Sequence, residues 1–159
     1  MSQRSSMHGR RHSAGFSLIE LMIAVVVIAI LLAVALPSFM DSIRKGRRSE
    51  AFAALSALQQ AQERYRGNNA SYATIVQLAT VSPDATVSPT RPGGYYAISI
   101  GTPTATGYIL TADGSGSSQA SDGSCAKLSI EVAGGNIGYG SCASCTTFSY
   151  AASDGCWKR

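Results

Sequence analysis

Hydrophobicity is spread unevenly along the chain, and its spacing changes twice. Residues 1–15 are polar and basic, and then apolar side chains run without interruption from Leu21 to Leu36. The block extends back through Phe16, Leu18 and Ile19 past a single charge, Glu20, and forward past Pro37 and Ser38 to Phe39 and Met40. About 20 apolar residues suffice to cross the hydrocarbon of a bilayer, so the block reads as a membrane-spanning helix. A cleaved secretory signal has a shorter apolar region, of about 7–15 residues, ending at a small-x-small site. Here Ala33 and Ala35 run into Leu36-Pro37 with no break in helical spacing. A plain anchor has no use for Glu20, because a carboxylate costs roughly 2.5–3.5 kcal/mol at mid-bilayer and less near its edge. Glu20 is therefore a candidate functional residue. Pro37 removes a backbone hydrogen bond and clashes with the turn before it, which predicts a kink or a melted turn near Ala33–Pro37.

From Asp41 the spacing becomes amphipathic. Ala54, Leu58, Ala61 and Tyr65 share one helical face with Leu55 alongside, while Glu50, Gln59, Gln62, Glu63 and Arg66 are assigned to water. Gly67-Asn68-Asn69 ends the helix. A connecting region rich in Ser, Thr, Ala and Pro follows to Pro92, with a short helical turn expected around Tyr72–Ala79. Its tripeptide Asn69-Ala70-Ser71 matches a glycosylation acceptor, a match that recurs often by chance.

Beyond Pro92 the period shortens to two. Strands are predicted at Tyr95–Ile100, Tyr108–Ala112, Ala126–Val132 and Asn136–Gly140, the last two joined at Gly134-Gly135 as a hairpin. Asp113–Ser124 reads as a Gly/Ser-rich loop without apolar content. The fold class is α+β: one long helix, with its second half packed on a small antiparallel sheet. Leu110, Leu128, Ile130 and Ile137 are the core candidates. Four parts result: 1–15; 16–40, apolar; 41–66, amphipathic; and 67–159, a globular head.

So small a head needs staples. Cys125, Cys142, Cys145 and Cys156 all lie near the C-terminus, which points to an oxidising compartment outside the cytoplasm. Three pairings of four cysteines are open. Cys142-Ala143-Ser144-Cys145 does not read as a redox pair, because strand- or loop-like residues follow it where a helix is needed. No second closely spaced pair makes a zinc site. Both histidines, His8 and His12, lie in the first 15 residues, and no paired acids or phosphate loop occur. Neither an enzyme nor a cofactor is expected. Charge does not settle orientation. Arg10 and Arg11 flank one end of the apolar block and Arg44, Lys45, Arg47 and Arg48 the other, so a positive-inside count opposes the cysteines. The second cluster reads as a solvated face near lipid headgroups or a neighbouring subunit.

Gly15-Phe16-Ser17-Leu18-Ile19-Glu20-Leu21, preceded by Arg10 and Arg11, resembles the prepilin signal of type IV pilins and the related pseudopilins of type II secretion. The resemblance implies cleavage after Gly15 by a prepilin peptidase, N-methylation of Phe16, and retention of the apolar helix in the mature subunit. It implies a protein held in the bacterial inner membrane, head outside, and then assembled into an extracellular pilus. Partners are other pilin subunits, the inner-membrane assembly machinery and, before assembly, lipid. Glu20 and Pro37 become assembly residues: Glu20 neutralises the new Phe16 amine of its own or a neighbouring chain and so sets register. Many pilins link the sheet to a C-terminal cysteine followed by Trp, which implies Cys125–Cys156 with Cys142–Cys145. The formal charge of +4 becomes +1 once Arg4, Arg10 and Arg11 leave with the leader. A minor pilin is the reading the C-terminus favours, with a major pilin, a pseudopilin, and a tip protein binding DNA or surfaces as alternatives. Lys127, Lys158 and Arg159 are the candidate ligand patch for the last.

Overall fold

The structure is a computed structural model that describes residues 15–81, 94–151 and 154–157. The expected leader charges, Pro83, Pro89 and Pro92, and Lys158 and Arg159 lie outside the described residues. The chain divides into two units between Phe39 and Met40.

The first unit holds the apolar part of helix α1, whose full bounds are Leu18–Arg66. The Ser17 carbonyl accepts the Glu20 and Leu21 amides at 3.1 and 3.2 Å and opens the helix. Every described side chain up to Phe39 is exposed. Such a row of Leu, Ile, Val and Phe in water calls for lipid or neighbouring helices as its cover. Among the described residues α1 is the helix long and apolar enough to cross a membrane. It stays helical through Ala33–Pro37, so the melted turn is absent. Proline removes only one bond of the ladder, and the aliphatic run on its N-terminal side keeps the rest.

In the second unit, α1 from Met40 onward carries a four-stranded antiparallel meander in the order β1-β2-β3-β4. A short helix, α2 (Ile75–Val81), precedes β1 (Ala97–Ile100), β2 (Gly107–Asp113), β3 (Lys127–Ala133) and β4 (Asn136–Cys142). Ala51, Ala54, Leu55, Leu58 and Ala61 are buried on one face of α1, at helical spacing. They join Ile98, Tyr108, Leu110, Ala112, Leu128, Ile130 and Val132 of the sheet in one core. Strand pairing aligns these layers: Leu110 lies opposite Ile130, and Ala112 opposite Leu128. Gly134 and Gly135, at φ of 56° and 86°, make the two-residue turn from β3 to β4, the left-handed geometry that suits the twist of a hairpin.

Three expectations are corrected. Ile137 is 44% exposed: it pairs with Val132 beside the β3–β4 turn, on the last strand of the ladder, where the core has run out. Gln62, assigned to water, is fully buried. Its amide nitrogen donates to the Ala73 carbonyl at 2.7 Å and its oxygen accepts the Ala73 amide at 2.8 Å, so both polar ends are satisfied inside. The Gly/Ser-rich stretch is no open loop. It forms two 3-10 turns, Ser118–Ser121 and Gly123–Cys125, and buries Gln119 and Asp122.

Candidate functional site

At the N-terminal end, Gly15, Phe16 and Ser17 precede the helix without regular structure. Phe16 is 78% exposed. Glu20 lies one turn further on, in the first turn of α1, where a carboxylate is favoured by the unpaired helical amides. It is exposed and has no ion pair among the described residues. Pro37 lies further along the same exposed segment, within α1.

At the other end of the chain, Cys125 is bridged to Cys156 and Cys142 to Cys145, with Cα separations of 5.6 and 5.8 Å. The first bridge ties the start of β3 to the C-terminal 3-10 turn Gly155–Trp157. The second closes a four-residue loop at the end of β4. The segment after it folds back over the outer side of the sheet. Ala151 pairs with Tyr139 through reciprocal backbone bonds of 2.9 and 3.0 Å. The Tyr150 hydroxyl lies 3.1 Å from that of the buried Ser129. Gly138 and Gly140 make room for this segment: a Cβ on Gly138 would meet the Tyr150 Cβ at 2.9 Å, and one on Gly140 the Ser149 carbonyl at 3.0 Å. Trp157 donates its indole N–H to the Gly140 carbonyl at 3.1 Å and stacks between Phe52 and Tyr139, with ring centroids at 4.7 and 4.9 Å.

The candidate ligand patch is only partly placed. Lys127 holds the Asp113 carboxylate at 3.1 Å, so its charge is already met. Burial pushes the Asp113 carboxyl up, but the Ser115 hydroxyl and amide and the Lys127 ammonium outweigh it, and the net direction is below the usual range. Lys158 and Arg159 follow Trp157 in sequence and lie outside the described residues.

Two members of the basic cluster of α1, Arg47 and Arg48, leave the solvated face expected of the cluster, while Lys45 stays exposed. Arg48 makes a two-pronged contact with Asp122, at 2.6 and 2.8 Å, and the aspartate side chain is 4% exposed. Gln119 adds a bond of 3.2 Å to the same carboxylate and one of 2.9 Å to the Tyr96 hydroxyl. Arg47 lies over the Tyr95 ring at 4.0 Å and donates to Ser118. Arg44 pairs with Asp41 at 3.0 Å. Arg47 and Arg48 therefore fasten the helix to the Gly/Ser-rich stretch. Sequence reading missed this because the partners lie 74 residues apart. The one local signal was an aspartate between polar small residues, followed closely by Cys125.

Within the head Glu63 accepts from two phenols, Tyr108 at 3.3 Å and Tyr72 at 3.5 Å. Burial, then the Glu63 charge, pushes the Tyr108 phenol far above its ordinary value. This cluster braces α1 against β2.

The chain matches two family models. Residues 37–129 match "Type IV minor pilin ComP, DNA uptake sequence receptor". Residues 10–36 match the prokaryotic N-terminal methylation motif. A fimbrial protein of Moraxella nonliquefaciens is 42% identical over 59 residues, a stretch covering 37% of this chain and 38% of that protein. The Cys142–Cys145 loop and the C-terminal bridge partner Cys156 fall beyond the region that the first model matches.

Proposed function

The chain belongs to the family described as type IV minor pilin ComP, DNA uptake sequence receptor, and on that premise we propose that it is a minor pilus subunit whose head captures DNA. The observation that carries the subunit reading is the methylation motif over residues 10–36. It overlies Gly15-Phe16, Glu20 and the exposed apolar segment of α1 as far as Leu36. Prepilin peptidase cuts after Gly15, and the Phe16 amine is methylated. The helix is held in the inner membrane once across, head outside. Two disulfides in the head support that side of the membrane. In the filament, Glu20 meets a Phe16 amine in apolar surroundings, and a misaligned subunit leaves a charge unpaired. The head's role is structural and binding, with no catalysis.

Capture of DNA rests on the family description. Among the described residues most cations are occupied: Arg44, Arg48 and Lys127 by carboxylates, Arg47 by Tyr95 and Ser118, and Arg66 by the Ala105 and Asn69 carbonyls. The phosphate contacts are assigned to Lys158 and Arg159, the basic pair that follows Trp157 in sequence. Replacing both by alanine lowers affinity and flattens the dependence on salt, by about 0.9 in slope for each duplex phosphate no longer neutralised. Unchanged affinity and slope would remove these two residues from the site.

Mass spectrometry of sheared filaments tests the subunit reading. The expected result is this chain at a low ratio to the commonest pilin, beginning at methylated Phe16. An exported chain with residues 1–15 intact would overturn it. A cleaved chain confined to membranes of piliated cells would point to a pseudopilin.

A further inference from the structure

The two bridges differ in what can reach them. Cys125 and Cys156 are 8% and 5% exposed and belong to the core cluster. Cys142 and Cys145 are only partly covered, and Ala143, Ser144, Thr146 and Thr147 around them are exposed. Thiol–disulfide exchange requires a thiolate to touch a sulfur, so access selects the Cys142–Cys145 bridge. A second observation gives that bridge a direction. The Cys145 amide donates to the Cys142 Sγ at 3.2 Å. A hydrogen bond to the charged form favours it, and the sulfur with the lower thiol pKa leaves faster. Cys142 is therefore the leaving group, and the Cys145 Sγ is the atom attacked. No helix follows the pair, so it is no oxidoreductase motif; a single amide serves the thiolate instead.

The bridge also holds something. It closes the corner at the end of β4, after which the chain runs back antiparallel and pairs Ala151 with Tyr139. The far end of this return is pinned separately. Asp154 accepts from the Ser141 hydroxyl at 2.7 Å and from the Cys156 amide at 2.9 Å, and Cys156 is bridged to Cys125. We propose that Cys142–Cys145 is an exchange site for protein dithiols, whose reduction loosens the tail from β4 while Cys125–Cys156 keeps the head closed. A thiolate of the dithiol attacks the Cys145 Sγ, the bond to the Cys142 Sγ breaks, and the electron pair leaves on Cys142. The second thiol of the dithiol then displaces Cys145. The dithiol ends as its own disulfide, and its two protons end on Cys142 and Cys145. A monothiol serves poorly, because the freed Cys142 thiolate lies in the same four-residue loop and closes the bridge again. The proposal goes beyond the assembly and DNA readings and does not depend on either.

The test uses the full oxidised chain in detergent, treated with reduced thioredoxin. Samples are quenched in acid at intervals, and free thiols and adducts are mapped by mass spectrometry. Cys142 and Cys145 are expected to be freed about tenfold or more faster than Cys125 and Cys156. A thioredoxin variant without its second cysteine is expected to be held on Cys145, with Cys142 free. In the selectively reduced chain, hydrogen exchange at the Ala151 and Tyr139 amides should rise about tenfold, with the Leu110 and Ile130 amides unchanged. Cys142→Ser combined with Cys145→Ser should give the same exchange pattern without reductant. Equal rates at the two bridges, or earlier release of Cys125 and Cys156, would overturn the proposal. An adduct on Cys142 would overturn the assigned direction. Unchanged exchange at Ala151 and Tyr139 after selective reduction would overturn the release of the tail.

Discussion

Asp122 shows how one side chain can hold an unpromising stretch in place. It is buried between Arg48 and Gln119 in a segment with no large apolar residue of its own. Removing one member of a buried ion pair strands the other, at about 3–5 kcal/mol when burial is complete. Arg48 keeps 18% of its side chain in contact with solvent. Asp122→Ala is therefore expected to lower stability by about 2–3 kcal/mol in chemical denaturation. The double variant with Arg48→Ala should recover part of that loss; two losses that simply add would mean the pair is not coupled. Asp113 makes a milder, pH-dependent contribution. Its folded carboxyl titrates below the usual range. The stabilisation is thus present above the unfolded value and is lost as pH falls through the folded one. Lys127→Ala should shift the Asp113 titration, followed by NMR, upward. These pairings were invisible in sequence, where Arg48 was one of four clustered cations and Asp122 one acid in a polar loop. Local spacing assigns faces; it carries no information on which distant residue closes an ion pair. Gln62 was misassigned for the same reason, since its partner is the backbone of Ala73.

The secondary-structure elements were more legible. Apolar residues at helical spacing marked α1, and alternation marked β2 and β3, because burial of one face is what each pattern encodes. Ile137 obeys the alternation and is still exposed, because alternation does not say where a sheet ends. The two bridges are predicted to differ in value. Cys125–Cys156 spans 31 residues, and closing a loop of that size is worth about 3–4 kcal/mol, against about 2 kcal/mol for the short Cys142–Cys145 loop. Serine pairs at the two sites should separate accordingly in thermal melts of the oxidised protein; equal losses would place the effect in packing. At Gly107 a Cβ would overlap the Val132 carbonyl. Gly107→Ala is expected to cost about 1–3 kcal/mol as β2 moves from β3, read in the same melts.

For the whole molecule, the N-terminal segment was recognised from a handful of residues because its chemistry is local: a glycine, a phenylalanine, and one acid in an apolar run. The expected consequence of Glu20→Ala is a folded, disulfide-bonded head that enters filaments poorly, measured as the filament-to-membrane ratio. Normal incorporation would rule out charge as the register device. The head's ligand was the least legible part. Lys127 was chosen for its charge, and the fold commits that charge to Asp113. A count of cations overstates what a surface offers, because it cannot subtract those already neutralised.

The backbone exchange between Tyr139 and Ala151 has a consequence for life in a crowded filament coat. A sheet margin with open amides and carbonyls invites the strand of the next molecule. Here the chain uses its own tail to occupy part of the β4 margin, and the nearby bridges pin that tail in place. A subunit pressed against its neighbours at very high local concentration can thus touch them there without zipping onto their strands.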